Sequence, residues 1–164
     1  MLDIPIGATG IYTQKVTSSD LANQFKDTAL PPVYATPMMI RAMENAALNA
    51  VRDYLDEGES AVGTLVNVRH LAATPAGHRV TAEAEVTKVD GRRIEFKVSA
   101  RDEMEEIGNG THERMVVDLK RLAARLQARR WPDETLRLSG LVEPSYFVTL
   151  AVGPANMKIG RAHV

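Results

Sequence analysis

An α+β fold is predicted, with one long enclosed helix covered by an antiparallel sheet, and three observations predict it. A single strong helical stretch, TPMMIRAMENAALNAVRDYLDEG at 36–58, is apolar on most of its sides. Two later stretches, HRVTAEAEVTKV and RRIEFKVSARD, alternate apolar and polar residues with a period of two. Asp90-Gly91 joins them as a hairpin turn pair, which makes them antiparallel.

The elements follow in order. Residues 10–17, GIYTQKVT, suit a strand, and SSDLANQF supplies Ser19 or Asp20 as the N-cap of a short helix. ALPPVYA reads as an extended loop, because each proline fixes its own φ and disfavours helix in the residue before it. In the long helix Thr36 is placed as N-cap, Pro37 as first helical residue and Gly58 as terminator. The span 37–57 would be roughly 30 Å long. Small side chains at Ala42, Ala46, Ala47 and Ala50 would let a sheet approach closely. If 64–72 is a strand, Thr64, Val66, Val68, His70 and Ala72 share one face, which puts an imidazole on an apolar stripe.

In the next two strands Val80, Ala82, Ala84 and Val86, then Ile94, Phe96, Val98 and Ala100, form the apolar sets. EIGNG is expected to be a second turn, and THERMVVDL a fourth strand. One face of such a sheet is wet, and the long helix is the element large enough to cover the other. A second helix, DLKRLAARLQARR, carries a narrow stripe of Leu119, Leu122, Ala123 and Leu126, with its arginines read as a solvated face.

At 164 residues the chain is long enough for one domain with a real core, hiding roughly 68–70% of its unfolded surface. The domain is expected over residues 1–130. Residues 131–164 form a tail without periodicity carried over from it, and the last seven, KIGRAHV, resemble the translation of a sequencing-library adapter. A charged fraction of 25% with net charge −1 leaves no basic field, so nucleic acid and anionic lipid are not expected as partners. Absence of cysteine excludes disulfides, thiolate metal sites and cysteine nucleophiles. MLDIPIGATG lacks the cationic start and apolar run of a secretory signal, and no segment is apolar enough to span a bilayer. The expectation is a cytoplasmic protein.

Three polar residues stand where the pattern calls for something else: Thr36 at the helix start, Glu44 two turns into an enclosed helix, and His70 on the apolar stripe. Each has an ordinary explanation: Thr36 as a cap, Glu44 as the partner of Arg41 one turn back, His70 as a satisfied core histidine. Together, however, a hydroxyl, a carboxylate and an imidazole are the parts needed to attack an activated acyl group. Glu44 is also costly to enclose without a task. His70, His78 and His112 show no HxxxH or HExxH spacing, so no metal and no cofactor is expected.

PPVYATPMMIRAMENAAL, GTLVNVRHLAATPAGHRVT and VDGRRIEFKVSARDEMEEIGNGTHERMVV resemble the fluoroacetyl-CoA thioesterase family of hotdog hydrolases, over roughly residues 10–125. AATP, GRR, VSA and EIGNGTHER are the specific strings. The resemblance implies a hotdog fold and hydrolysis of an acyl-CoA. It implies catalysis by Thr36, Glu44 and His70, with Gly63 and Arg114 contacting substrate, His70 acting as general base and Glu44 either orienting it or attacking. The family's fluoroacetyl-specific member carries an aromatic lid ahead of the threonine. Here QFKDTALPPVYA offers Phe25 and Tyr34 with Leu30 between, a departure that favours a short or medium acyl group over fluoroacetyl alone.

Thr36 and Glu44 lie about 12 Å apart along one helix axis, too far for a direct hydrogen bond. Either His70 bridges them or one of them comes from a second chain; the resemblance implies a homodimer, since hotdog thioesterases typically place their sites at a dimer interface. Two rival functions are a non-catalytic acyl-CoA-binding hotdog module and an enoyl-CoA hydratase-type hotdog. The Asp/His pairing usual in the latter is not visible.

Overall fold

The computed structural model describes residues 2–25 and 27–129. The tail expected at 131–164 lies outside the described residues. Strand β1 (Thr9–Lys15) leads through a 3-10 turn (Ser18–Asp20) and a one-turn helix α1 (Ala22–Phe25) to the long helix α2 (Thr36–Val51). A second 3-10 turn (Arg52–Tyr54) precedes β2 (Glu59–His70), β3 (Arg79–Asp90), β4 (Arg93–Arg101), β5 (Glu106–Asp118) and helix α3 (Leu119–Ala128). The five strands form one antiparallel sheet in the order β1-β3-β4-β5-β2, curled around α2 in the expected hotdog arrangement.

The two alternating strands behave as their pattern requires. Val80, Ala82, Ala84 and Val86 of β3 and Ile94, Phe96, Val98 and Ala100 of β4 are all buried, against a helix face of Met39, Ala42, Met43, Ala46, Ala47 and Ala50. Burying each of the larger aliphatic or aromatic side chains contributes about 1.5–3 kcal/mol. Asp90 pairs with Arg93 across the turn, where Gly91 takes a φ of +57°. The alanine face does admit a close strand: at Gly10 of β1 an added Cβ would collide with the main chain of Ala46 and Ala50.

Four expectations are corrected. Asp20 is not an N-cap. Its carboxylate accepts from the Thr17 amide at 2.8 Å and the Thr17 hydroxyl at 2.7 Å, so Thr17 caps the 3-10 turn. Thr36 is not a cap either: Ala35 is the N-cap of α2 and Thr36 its first residue, because the hydroxyl is engaged elsewhere. Helix α2 ends at Val51 and tightens into a 3-10 turn, which shortens it to about 24 Å, and Gly58 instead turns the chain into β2 with a φ of +82°. Finally, EIGNG is strand, part of β5. The turn lies earlier, where the Asp102 carboxylate accepts from the amides of Met104 and Glu105. The glycines belong in the strand because neighbours crowd them: a Cβ at Gly108 would strike the Met39 thioether, and one at Gly110 the main chain of β2.

Helix α3 has its expected stripe, yet none of its described residues is buried, and Leu119 and Leu126 are exposed. Arg121 and Arg125 line an open cleft of about 250 Å³ with Arg92 and Asp118. No helix among the described residues is long and apolar enough to cross a membrane.

Candidate active site

Strand β2 is the element on which the site depends. Gly63 and His70 are seven residues apart, and in a regular strand an odd separation puts two side chains on opposite faces. The ladder with β5 shifts between Gly63 and Leu65, leaving Thr64 unmatched in a bulge. Before the bulge Ala61 and Gly63 lie opposite Val116 and Arg114. After it Val66, Val68 and His70 lie opposite His112, Gly110 and Gly108. Because His112, Arg114 and Val116 are the buried set of β5, the bulge brings Gly63 and His70 to the same helix-facing side. The stripe expected at 64–72 is therefore real for Val66, Val68 and His70 and broken at Thr64. It does not face a closed core: β2 is an edge strand, and Val62, Leu65 and Val66 are about 40% exposed.

Thr36 and His70 meet. Thr36 Oγ1 lies 2.9 Å from His70 Nδ1, the hydroxyl projecting from the first residue of α2 and the imidazole from the end of β2. His70 Nε2 is buried with no hydrogen-bond partner among the described residues. Burial holds the imidazole below its ordinary pKa, so it is neutral and able to accept a proton at pH 7. Beside the pair opens a mostly apolar cleft of about 400 Å³, whose walls include Ala22, Val33, Tyr34, Leu71 and Ala73. Tyr34 is fixed there: its buried hydroxyl donates to the Met38 carbonyl and accepts from the Gln14 amide, both at 2.8 Å. Burial raises its pKa far above the ordinary phenol value.

Glu44, Gly63 and Arg114 form a second cluster with a residue that sequence reasoning passed over, His112. A Cβ at Gly63 would collide with Glu44 Oε1 and stand 3.1 Å from His112 Cε1, so only glycine lets the carboxylate lie against the β2 backbone. Glu44 is not enclosed as expected, since its side chain is 40% exposed, and its Oε1 is 3.9 Å from His112 Nε2. Arg41 is not its partner. That guanidinium donates to Gln14 Oε1 at 2.9 Å and to Asp20 Oδ1 at 3.4 Å.

Arg114 is buried and spends its donors inside the protein. Nη1 donates to the Glu44 main-chain carbonyl at 3.1 Å and to His112 Nε2 at 3.2 Å, and Nη2 donates to the Ala61 carbonyl. Its Nε is buried without a partner among the described residues. His112 in turn donates from Nδ1 to the Leu65 carbonyl at 2.7 Å and stacks on Phe96, centroids 6.0 Å apart. The two clusters are separate in one chain: among the described residues no hydrogen bond or ion pair links Glu44 to Thr36 or His70. A clue to His112 is present in THER, where it shares strand parity with Arg114 and so faces the same side. Among the described residues no three His, Cys, Asp or Glu side chains converge as metal ligands.

An enclosed helix wrapped by a curled antiparallel sheet defines a hotdog fold, and relatives place the chain among the hotdog-fold thioesterases. Residues 16–120 match the family model FlK, fluoroacetyl-CoA-specific thioesterase. The chain is 46% identical over 99 residues, 60% of its own length and 71% of the relative's, to the fluoroacetyl-CoA thioesterase of Streptantibioticus cattleyicolor. A solved structure of the fluoroacetyl-CoA thioesterase FlK superposes with a TM-score of 0.75 at 35% identity, covering 79% of this chain and 99% of that one. A Thermus thermophilus protein described as a thioesterase superfamily member superposes with a TM-score of 0.72 at 30% identity, covering 85% and 99%. The chain belongs to the FlK family, and it is an acyl-CoA thioesterase.

Proposed function

We propose that this thioesterase hydrolyses a short or medium acyl-CoA to the free acid and CoA at the Thr36–His70 pair. The observation that carries the reading is the 2.9 Å contact between Thr36 Oγ1 and His70 Nδ1 at the wall of an apolar cleft of about 400 Å³. In the reactive tautomer the Thr36 hydroxyl donates to Nδ1, and His70 takes that proton as Thr36, or a water in its place, attacks the thioester carbonyl. The N-terminus of α2 stabilises the oxyanion, joined by the amide of Gly63 of the partner subunit, which accompanies the partner's Glu44 into the site. The proton then passes to the departing CoA thiolate; where Thr36 was the nucleophile, His70 next takes a proton from the water that attacks the acyl-threonine ester and returns it to the Thr36 oxygen as the acid leaves. Arg114 supports substrate binding by holding the Glu44 and Ala61 backbones in place.

Glu44 enters from a second copy of the chain. Two features support a homodimer: β2 is an edge strand with exposed apolar residues, and one chain alone leaves Glu44 apart from His70. Edge pairing of β2 with its own copy would remove that liability and is self-complementary. With Thr36 bonded to Nδ1, the proton of neutral His70 sits on the unpartnered Nε2, and the partner's carboxylate is suited to accept it and orient the ring. The acyl group rests against Val33, Leu71 and Ala73, with Tyr34 tied into the wall and Leu30 exposed, while the Phe25 side chain lies outside the described residues; the departure at this segment supports a short or medium acyl group. An acyl-CoA substrate supports a cytoplasmic location.

Thiol release from acetyl-, fluoroacetyl-, butyryl- and phenylacetyl-CoA tests this. Turnover of at least one, with butyryl-CoA handled as well as fluoroacetyl-CoA, is expected. Binding of all four without release would instead establish a non-catalytic acyl-CoA-binding module.

A further inference from the structure

We propose that His112 is a positioning residue of this site: a neutral imidazole, protonated at Nδ1, that latches the β2 bulge and so holds Gly63 against Glu44. The proposal rests on the reading of Gly63 and Glu44 as site residues, and it concerns a side chain that does not touch substrate.

The hydrogen bonds leave one protonation pattern. A carbonyl only accepts, so the 2.7 Å contact with the Leu65 carbonyl requires a proton on Nδ1. A guanidinium only donates, so the 3.2 Å contact with Arg114 Nη1 requires a lone pair on Nε2. Both are satisfied by neutral His112 and not by the imidazolium; the Glu44 carboxylate 3.9 Å from Nε2 and Glu113 favour the charged ring, but burial, with Arg114 beside it, outweighs them. The ring is 1% exposed and stacked on Phe96 at 29°, which leaves it little freedom to turn.

The latch falls at a weak point of the strand. A bulge leaves one residue out of the ladder, here Thr64, and His112 binds the carbonyl of the next residue while its Cε1 abuts Gly63 from within. Arg114 fastens the other side of the bulge at Ala61 and reaches across to the main chain of Glu44. His112 and Arg114, two residues apart on β5, thereby grip β2 on both sides of the bulge that gives Gly63 its direction. If the bulge slipped, Gly63 would turn to the outer face and its amide would leave the site.

Two measurements test this. Nitrogen-15 NMR of the wild-type imidazoles is expected to show His112 as the Nδ1–H tautomer between pH 6 and 8, whether or not the enzyme turns over. An Nε2–H tautomer, or an imidazolium in that range, overturns the latch. For kinetics, His112→Asn keeps an N–H at the Nδ1 position, whereas His112→Phe keeps the stack and loses both nitrogens. The expected result is a kcat lowered roughly tenfold or more in His112→Phe with KM changed little, and most of it recovered in His112→Asn. Unchanged kcat in His112→Phe, or equal losses in both, overturns the positioning role. Absence of thiol release by the wild type would instead count against the hydrolase reading, with the tautomer still deciding the latch.

Discussion

Thr36 and His70, thirty-four residues apart in the chain, are held 2.9 Å apart by two rigid elements, the first turn of α2 and the last residue of β2. Neither side chain is part of a loop, so the pair is preorganised, which is what proton transfer in a transition state demands.

The acid limb of activity follows from burial. Protonated His70 cannot accept from Thr36, and its pKa lies below the ordinary value near 6.5, so the base form persists into mildly acid solution. kcat/KM is expected to fall on acidification with a midpoint below about 6.5. A midpoint above it would assign the limb to another group.

Stability moves in the same direction. His70 and His112 both have folded pKa values lowered by burial, so below about pH 6.5 the unfolded chain binds more protons than the native one. Their contribution is full above that pH, declines as pH falls, and stops changing below the folded values. Thermal melts are expected to show a falling Tm on acidification through this window, with a shallower fall in His112→Asn. Equal slopes would show that His112 does not contribute.

Gly63→Ala places a methyl group where Glu44 Oε1 lies. The half-exposed carboxylate can swing aside, so the expected outcome is at least a tenfold drop in kcat with a small destabilisation of about 1 kcal/mol or less. An unchanged kcat would show that turnover does not need the carboxylate to lie against Gly63.

Gly10→Ala tests packing away from the site. Its Cβ would meet backbone atoms of Ala46 and Ala50, which cannot rotate aside. Denaturant unfolding is expected to show a loss of about 1–3 kcal/mol or more, with activity per folded molecule unchanged. A neutral result would mean that β1 can move off α2 without cost.

Leu65→Lys puts a charge on the exposed outer side of edge strand β2, away from the His70 stripe, a known deterrent to edge pairing. Sedimentation is expected to show a dimer for the wild type and a monomer for the variant. If each site draws on both chains, an equal mixture of Thr36→Ala and Glu44→Ala, exchanged to equilibrium, is expected to regain about a quarter of wild-type activity. A mixture as inactive as its components would place all three groups in one chain.

The parts legible in the sequence are those whose pattern is local. Strands β3 and β4 declare themselves because Val80–Val86 and Ile94–Ala100 alternate without interruption, and the hairpin is where it is expected, although Asp90 pairs with Arg93 and the turn is Gly91-Arg92 rather than Asp90-Gly91. The glycines of EIGNG were misread as a turn because their need is tertiary: Gly108 and Gly110 are small to admit Met39 and the β2 backbone, contacts that no local pattern records. Thr36 looked like a cap because Thr-Pro usually is one, and only the distant His70 shows otherwise. The exposure of β2 depends on strand order, which alternation does not encode, and the bulge at Thr64 shifts the alternation itself. His112 is only faintly marked for a related reason: THER sets it on the face of Arg114, but its role shows only when the Leu65 carbonyl and Arg114 are seen on either side of it.

The most direct measurement is free-thiol release by His70→Ala beside the wild type, on whichever acyl-CoA the wild type turns over best, with both proteins shown by melting to be folded. A kcat lowered by about a hundredfold or more, in the range expected for loss of a general base, is the outcome anticipated for a Thr36–His70 hydrolase. A folded His70→Ala enzyme with near wild-type turnover would contradict it.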